Sequence, residues 1–144
     1  MLDSKTIEIV QSTVPVLKER GEDITKAFYG VLFSRYPQVQ PMFDMEKQKT
    51  GQQPRALAMA ILNGAQNISN LDAIKKSIEA IGVIHVERKV LPEHYPLVGE
   101  CLLVAIQEVL GDAATPEILT AWEKAYGALA EYYIDTEKKI QESK

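Results

Sequence analysis

The sequence is poor in the residues that most often do chemistry: 144 residues hold one cysteine and two histidines. A lone Cys101 cannot close an internal disulfide. Set among Leu97, Val98, Leu102 and Ala105, it reads as a buried, inert thiol rather than a redox or metal site. No apolar run approaches the roughly 20 residues that span a bilayer, and the opening Met1-Leu2-Asp3-Ser4-Lys5 lacks the basic-then-apolar pattern of a signal peptide. Stable membrane insertion is therefore not expected, and a cytoplasmic location is. With 16 basic and 20 acidic residues, the net charge of -4 leaves no broad positive surface for nucleic acid. Also missing are sustained period-two runs bounded by turns, internal repeats, low-complexity tracts and any glycine-rich phosphate loop.

What is present is a soluble, foldable composition, 46% hydrophobic and 25% charged, at a length that suits one domain. Residues 1–144 are expected to be that single domain. Apolar residues recur at three and four positions, the period of amphipathic helices. Ile7, Val10, Val14 and Leu17 share one face, with Pro15 as a bend and Gly21 as a stop. A second helix is expected from near Asp23, with Ile24, Phe28, Val31 and Leu32 on its stripe, halting before Pro37. The polar stretch 44–52, ending in Thr50-Gly51, reads as a mobile loop. Pro54 then suits the first position of a helix that buries Leu57, Ala58, Ile61, Leu62, Ala65 and Ile68.

Asn70 is placed to cap the next segment, where Ile74, Ile78, Ile81 and His85 stand four, three and four residues apart. That spacing turns His85 toward the interior. Beyond Val90-Leu91-Pro92 a long helix runs to about Leu110, burying Val98, Cys101, Leu102, Ala105 and Val109. Thr115-Pro116-Glu117 combines a hydroxyl cap, a first-turn proline and an early carboxylate, and starts the longest helix. Its stripe is Ile118, Trp122, Tyr126, Leu129 and Tyr133, and Glu137 continues that line where an apolar residue would fit better.

An all-helical bundle needs none of these polar residues, so the chemistry has to be sought in them. His94, between Pro92 and Pro96 at a helix start, reads as a partly exposed polar residue. His85 by itself would fit a satisfied core histidine. A metal held by one neutral imidazole, however, needs the other ring nitrogen to donate to a carboxylate or carbonyl, and Glu137 and Tyr95 can supply that partner. The competing reading of Glu137 is a solvated acid beside Lys138-Lys139 near a fraying terminus.

The order Phe28-Tyr29, Tyr36-Pro37, Pro41-Met42-Phe43, Gln53-Pro54, Leu57-Ala58-Met59-Ala60, His85, His94-Tyr95-Pro96, Ala121-Trp122 and Ala125-Tyr126-Gly127 resembles the globin domain of bacterial flavohaemoglobins and single-domain haemoglobins of the Vitreoscilla type. The resemblance covers essentially the whole chain. It implies a globin fold, a three-over-three helical sandwich around haem b, with His85 as the proximal iron ligand and Tyr95 and Glu137 hydrogen-bonded behind it. On the opposite haem face it implies Tyr29, Gln53 and Leu57, with Phe43 against the porphyrin edge. Tyr126 either joins the proximal side or simply packs. Tyr29 would donate to bound dioxygen, while Gln53, at a helix cap beside the loop, is free to swing out. Many relatives have lysine immediately before the proximal histidine, where it pairs with a propionate. Ile84 stands here, leaving Arg88 or Lys89 as substitutes.

Flavohaemoglobins continue into flavin- and nicotinamide-binding domains, and the chain stops at Lys144, so electrons are expected from a separate flavin or NAD(P)H-dependent reductase. Two functions follow from the resemblance. One is conversion of nitric oxide to nitrate with dioxygen. The other is non-enzymatic oxygen carriage or storage supporting respiration at low oxygen. A gas sensor and a haem-free interaction module rank below both. The pocket serves either of the first two, and the proximal carboxylate, unnecessary for storage, tilts the reading toward nitric oxide removal. A homodimer is left open, without a clear exposed patch to mark its face.

Overall fold

Asp3 and Thr115 begin the first and last helices by the same device, a side-chain oxygen accepting from a backbone amide three residues on. Thr6 donates to Asp3 Oδ1 at 2.7 Å and Ile118 to Thr115 Oγ1 at 3.2 Å. A computed structural model describes residues 2–43 and 45–143, so Asp44, where the loop was expected to start, lies outside the described residues. Seven α-helices follow in order: α1 Ser4–Ser12, α2 Val14–Arg35, α3 Met45–Thr50, α4 Gln52–Gln66, α5 Lys75–Glu87, α6 Tyr95–Leu110 and α7 Pro116–Glu142. Short 3-10 turns occupy Pro37–Met42, Leu71–Ile74, Pro92–His94 and Gly111–Ala113, and there is no strand among the described residues.

Three boundaries differ from the sequence reading. Gly21 does not stop a helix: α2 runs through it to Arg35 in 22 residues. Its missing side chain leaves room at the α2–α4 contact, where a Cβ would sit 3.5 Å from Ala58 Cβ. Packing there outweighs a helix-propensity cost of about 1 kcal/mol. The bend falls instead at Thr13, whose hydroxyl donates to the Val10 carbonyl at 2.6 Å and accepts from the Trp122 indole at 3.1 Å. The stretch from Met45 to Thr50 is helical, and α4 opens at Gln52 behind a left-handed Gly51 rather than at Pro54. Asn70 precedes a 3-10 turn and makes no side-chain cap.

Helices α1, α4 and α5 form one layer over α2, α6 and α7. α4 packs on α2, α5 and α1 pack on α7, and α6 lies against both α2 and α7. The core contains Val10, Ile24, Phe28, Leu32, Ala65, Leu102, Ala105, Ala121, Trp122 and Ala125, all nearly inaccessible. Each large apolar side chain buried there contributes about 1.5–3 kcal/mol. Cys101 is fully buried within this core, and burial pushes its thiol up from the ordinary range. α4 and α5 pack on different partners and make little contact with each other. Leu57 and Ile61 on α4, Ile81 on α5 and Phe43 between the two layers' connections therefore remain only half-buried. This is the three-over-three sandwich, open between α4 and α5.

Candidate functional site

Three helices deliver one polar cluster. His85 stands in the last turn of α5, Tyr95 opens α6, and Glu137 lies four residues after Tyr133 on α7. Glu137 is 6% exposed. A carboxylate so buried is tolerated only with good partners, and it has two. His85 Nδ1 lies 2.7 Å from Oε2, and the Tyr95 hydroxyl donates to the same oxygen at 2.7 Å. Such short contacts are typical of hydrogen bonds to an ionised group. Glu137 is thus no solvated tail residue, because the helix around it continues to Glu142.

The network also assigns a tautomer. The Tyr95 hydroxyl, 3.2 Å from His85 Nδ1, spends its proton on Glu137, so Nδ1 must carry its own proton to donate to that carboxylate. In the neutral ring the lone pair is then on Nε2. That nitrogen has no hydrogen-bond partner among the described residues, and the His85 side chain is 31% exposed. A half-buried, oriented imidazole presenting a free lone pair is the donor arrangement a metal requires.

A second layer holds the cluster. Tyr126 donates to the Tyr95 carbonyl at 2.7 Å. It gets that close because α6 has Gly99 one turn after Tyr95, where a Cβ would come within 2.7 Å of the Tyr126 ring. Burial, reinforced by the Glu137 acceptor, raises the Tyr95 phenol far above its ordinary pKa and keeps it a donor. Tyr133, which the sequence reading assigned only to a packing stripe, lies with its ring 6.1 Å from that of His85. Its phenol is pushed up to about 12 by burial and by the nearby Glu137 charge. Its register, one turn before Glu137, was the signal that could have found it.

Tyr29 and Phe43 come together on the other side. Their rings meet edge to face at 5.5 Å, and Phe33 completes an aromatic group with both. Tyr29 is 6% exposed, and burial raises its phenol, with Gln48 within polar reach to ease the shift. Gln48, absent from the expected site residues, donates to Gln53 Oε1 at 3.1 Å. Gln53 is accordingly tied to α3 in the first turn of α4, with Leu57 one turn later, half-buried. Thr25, wholly buried on α2, donates to the Pro54 carbonyl at 2.7 Å and anchors this turn.

The candidates for replacing a lysine at Ile84 are differently disposed. Arg88 donates to the Met42 carbonyl at 3.0 Å, tying the end of α5 to the turn before Phe43. Lys89 is exposed with a left-handed backbone, φ 62. Ile84 is 48% exposed beside the histidine. His94 Nδ1 accepts from the Leu91 amide at 2.9 Å, a helix-start role. Among the described residues no group of three or more His, Cys, Asp or Glu side chains could hold a metal, so His85 stands as a single protein ligand or none. No described helix is long and apolar enough to cross a membrane.

Comparison with known proteins accords with this geometry. The globin family model matches residues 26–133. The chain is 49% identical over 142 residues to the flavohemoprotein of Bacillus subtilis, covering 99% of this chain and 36% of that one. It is 47% identical to the flavohemoprotein of Oceanobacillus iheyensis, covering 100% and 36%. The chain thus spans about a third of the length of the curated relatives it matches. Among solved structures, a bacterial globin from Campylobacter jejuni superposes with a TM-score of 0.94 at 47% identity, over 97% of this chain and 99% of that one. A candidate nitric oxide dioxygenase of Rhodothermus marinus, engineered as a carbene transferase, gives 0.91 at 34%, over 99% and 98%. The flavohemoglobin of Malassezia yamatoensis, solved with FAD and haem bound, gives 0.86 at 34%, over 96% of this chain and 37% of that one. The chain belongs to the globin family.

Proposed function

We propose that the chain binds haem b through His85 and consumes nitric oxide, combining it with dioxygen and one electron to form nitrate. The observation that carries this reading is the His85–Glu137–Tyr95 cluster, with Nδ1 held at 2.7 Å by a buried carboxylate and Nε2 free. Helices α4 and α5 make little contact with each other and leave Leu57, Ile61 and Ile81 only half-buried, which suits an apolar cofactor between them, and the donor set fits its iron. When bound, haem supplies a redox-active iron that takes the diatomic gases.

The chain's own residues do the rest. Glu137 draws on the Nδ1 proton and makes Nε2 a stronger donor, a push that favours oxygen activation over simple storage. Tyr95 fixes the carboxylate, and Tyr126 fixes the backbone of Tyr95. Leu57 and Phe43 keep water off the reacting face. Tyr29 offers a phenol proton to negative charge developing on oxygen, a stabilisation that strengthens in a dry pocket. Gln53 assists from α4, held there by Gln48. The electron comes from a flavin or NAD(P)H-dependent reductase, in keeping with the flavohemoprotein relatives.

Sustained conversion of nitric oxide to nitrate by haem-loaded protein with a competent reductase is the expected result. Reversible oxygen binding with no turnover under those conditions would replace this reading by that of an oxygen carrier. Absence of a Soret band after reconstitution would remove haem altogether.

A further inference from the structure

The substrates of this reaction are neutral gases, whereas its product is an anion, so the molecule that leaves needs surroundings the molecules that enter do not. A cavity of about 380 Å3 lies between α2, α3 and the start of α4, with Tyr29 in its wall. Lys26, Lys49 and Arg55 all line it, beside the Gln48 amide and the Phe33 ring.

These cations are incompletely satisfied. Among the described residues Glu22 pairs with two of them, at 3.6 Å from both Lys26 Nζ and Arg55 Nη1, too far to be a hydrogen bond to either. Lys49 makes no ion pair among the described residues. Among the described residues three cationic side chains line this space, and two of them share an ion pair with Glu22.

One of those cations lies against a glycine turn. Gly51 has a left-handed φ of 80, and a Cβ there would stand 3.0 Å from Arg55 Nη1. The guanidinium therefore lies close against this turn. A guanidinium, two ammonium groups and an amide side chain lining one space suit a small planar oxoanion, which accepts several hydrogen bonds at once.

We infer that this cavity binds a small oxoanion of the nitrate class and is a station on the product's way out past Tyr29. The inference rests on the nitric oxide reading given above. Because the cations are about half exposed, binding is expected to be weak and sensitive to salt.

The test is a titration of 15N-labelled, haem-loaded protein, in its diamagnetic ferrous carbon monoxide form, with sodium nitrate. Saturable shifts are expected at the amides of Gly30, Lys49 and Gly51. The double variant Lys49→Gln with Arg55→Gln should weaken binding by about fivefold to tenfold, the combined effect of two exposed charge contacts. Glu22→Gln, which removes the opposing charge, should tighten it about twofold to threefold. Shifts that do not saturate, or that saturate equally in all three proteins, overturn the inference. Nitrate production by the oxygenated protein is measured separately. If production fails while the titration behaves as expected, the error is in the reaction and not in the anion site.

Discussion

The two sides of the cleft are built in opposite ways. Behind His85, a buried carboxylate takes hydrogen bonds from two helices at 2.7 Å, and a third contact pins the backbone of its tyrosine partner. Around Tyr29, neutral amides meet at 3.1 Å between a six-residue helix and the first turn of the next, beside a cavity open to solvent. The His85 side is a hydrogen-bonded network whose parts cannot be removed singly without stranding another. The Tyr29 side is a set of weak, replaceable contacts, which under the proposed function suits a face that admits gases and releases a product.

That contrast can be broken by substitution. His85→Ala should abolish normal iron ligation, read as loss of the native Soret band, with partial rescue by added imidazole. Glu137→Gln should lower nitric oxide turnover about 10- to 100-fold, the usual consequence of altering the partner of a ligating histidine. An unchanged turnover and unchanged reduction potential would show that the carboxylate is only structural. Tyr29→Phe should speed oxygen dissociation roughly tenfold, as expected for one lost hydrogen bond of about 1.4 kcal/mol. An unaltered off-rate removes Tyr29 from that role.

Alkaline pH sharpens the same comparison. Tyr133 rises from 10.0 to about 12 in the folded chain, chiefly through burial. A phenol that holds its proton more tightly when folded contributes stability that is whole below pH 10 and is lost as the pH climbs through about 12. Urea unfolding of the haem-free protein should weaken over that window, and Tyr133→Phe should flatten the decline. The smallest effect is expected for Gln48→Ala, whose unfolding free energy should fall by about 0.5 kcal/mol or less.

Much of this was legible beforehand for local reasons. The stop before Pro37 and the start at Thr115-Pro116 follow from what proline and a hydroxyl cap do to the adjacent backbone. The stripe from Ile118 to Glu137 showed an acid on an apolar line, and that line faces His85. Gly21 misled because its helical cost is visible in the chain while the Ala58 that packs against it lies 37 positions away. The Met45–Thr50 stretch misled because it is polar, although lysine, glutamine, glutamate and methionine all favour helix locally. Gln48 escaped notice, and Tyr133 was read only as a packing residue, since neither breaks a pattern.

By itself the sequence determined, through one helical periodicity and a few breakers, an all-helical chain, one inward histidine and one misplaced acid. Only the tertiary structure decided that His85, Tyr95 and Glu137 share a single oxygen, that Nε2 is left free, and that three cations surround a cavity beside Tyr29. The physical reason is range. Helical period and capping act over three or four residues, whereas a hydrogen bond between positions 85 and 137 exists only once α5 and α7 have packed.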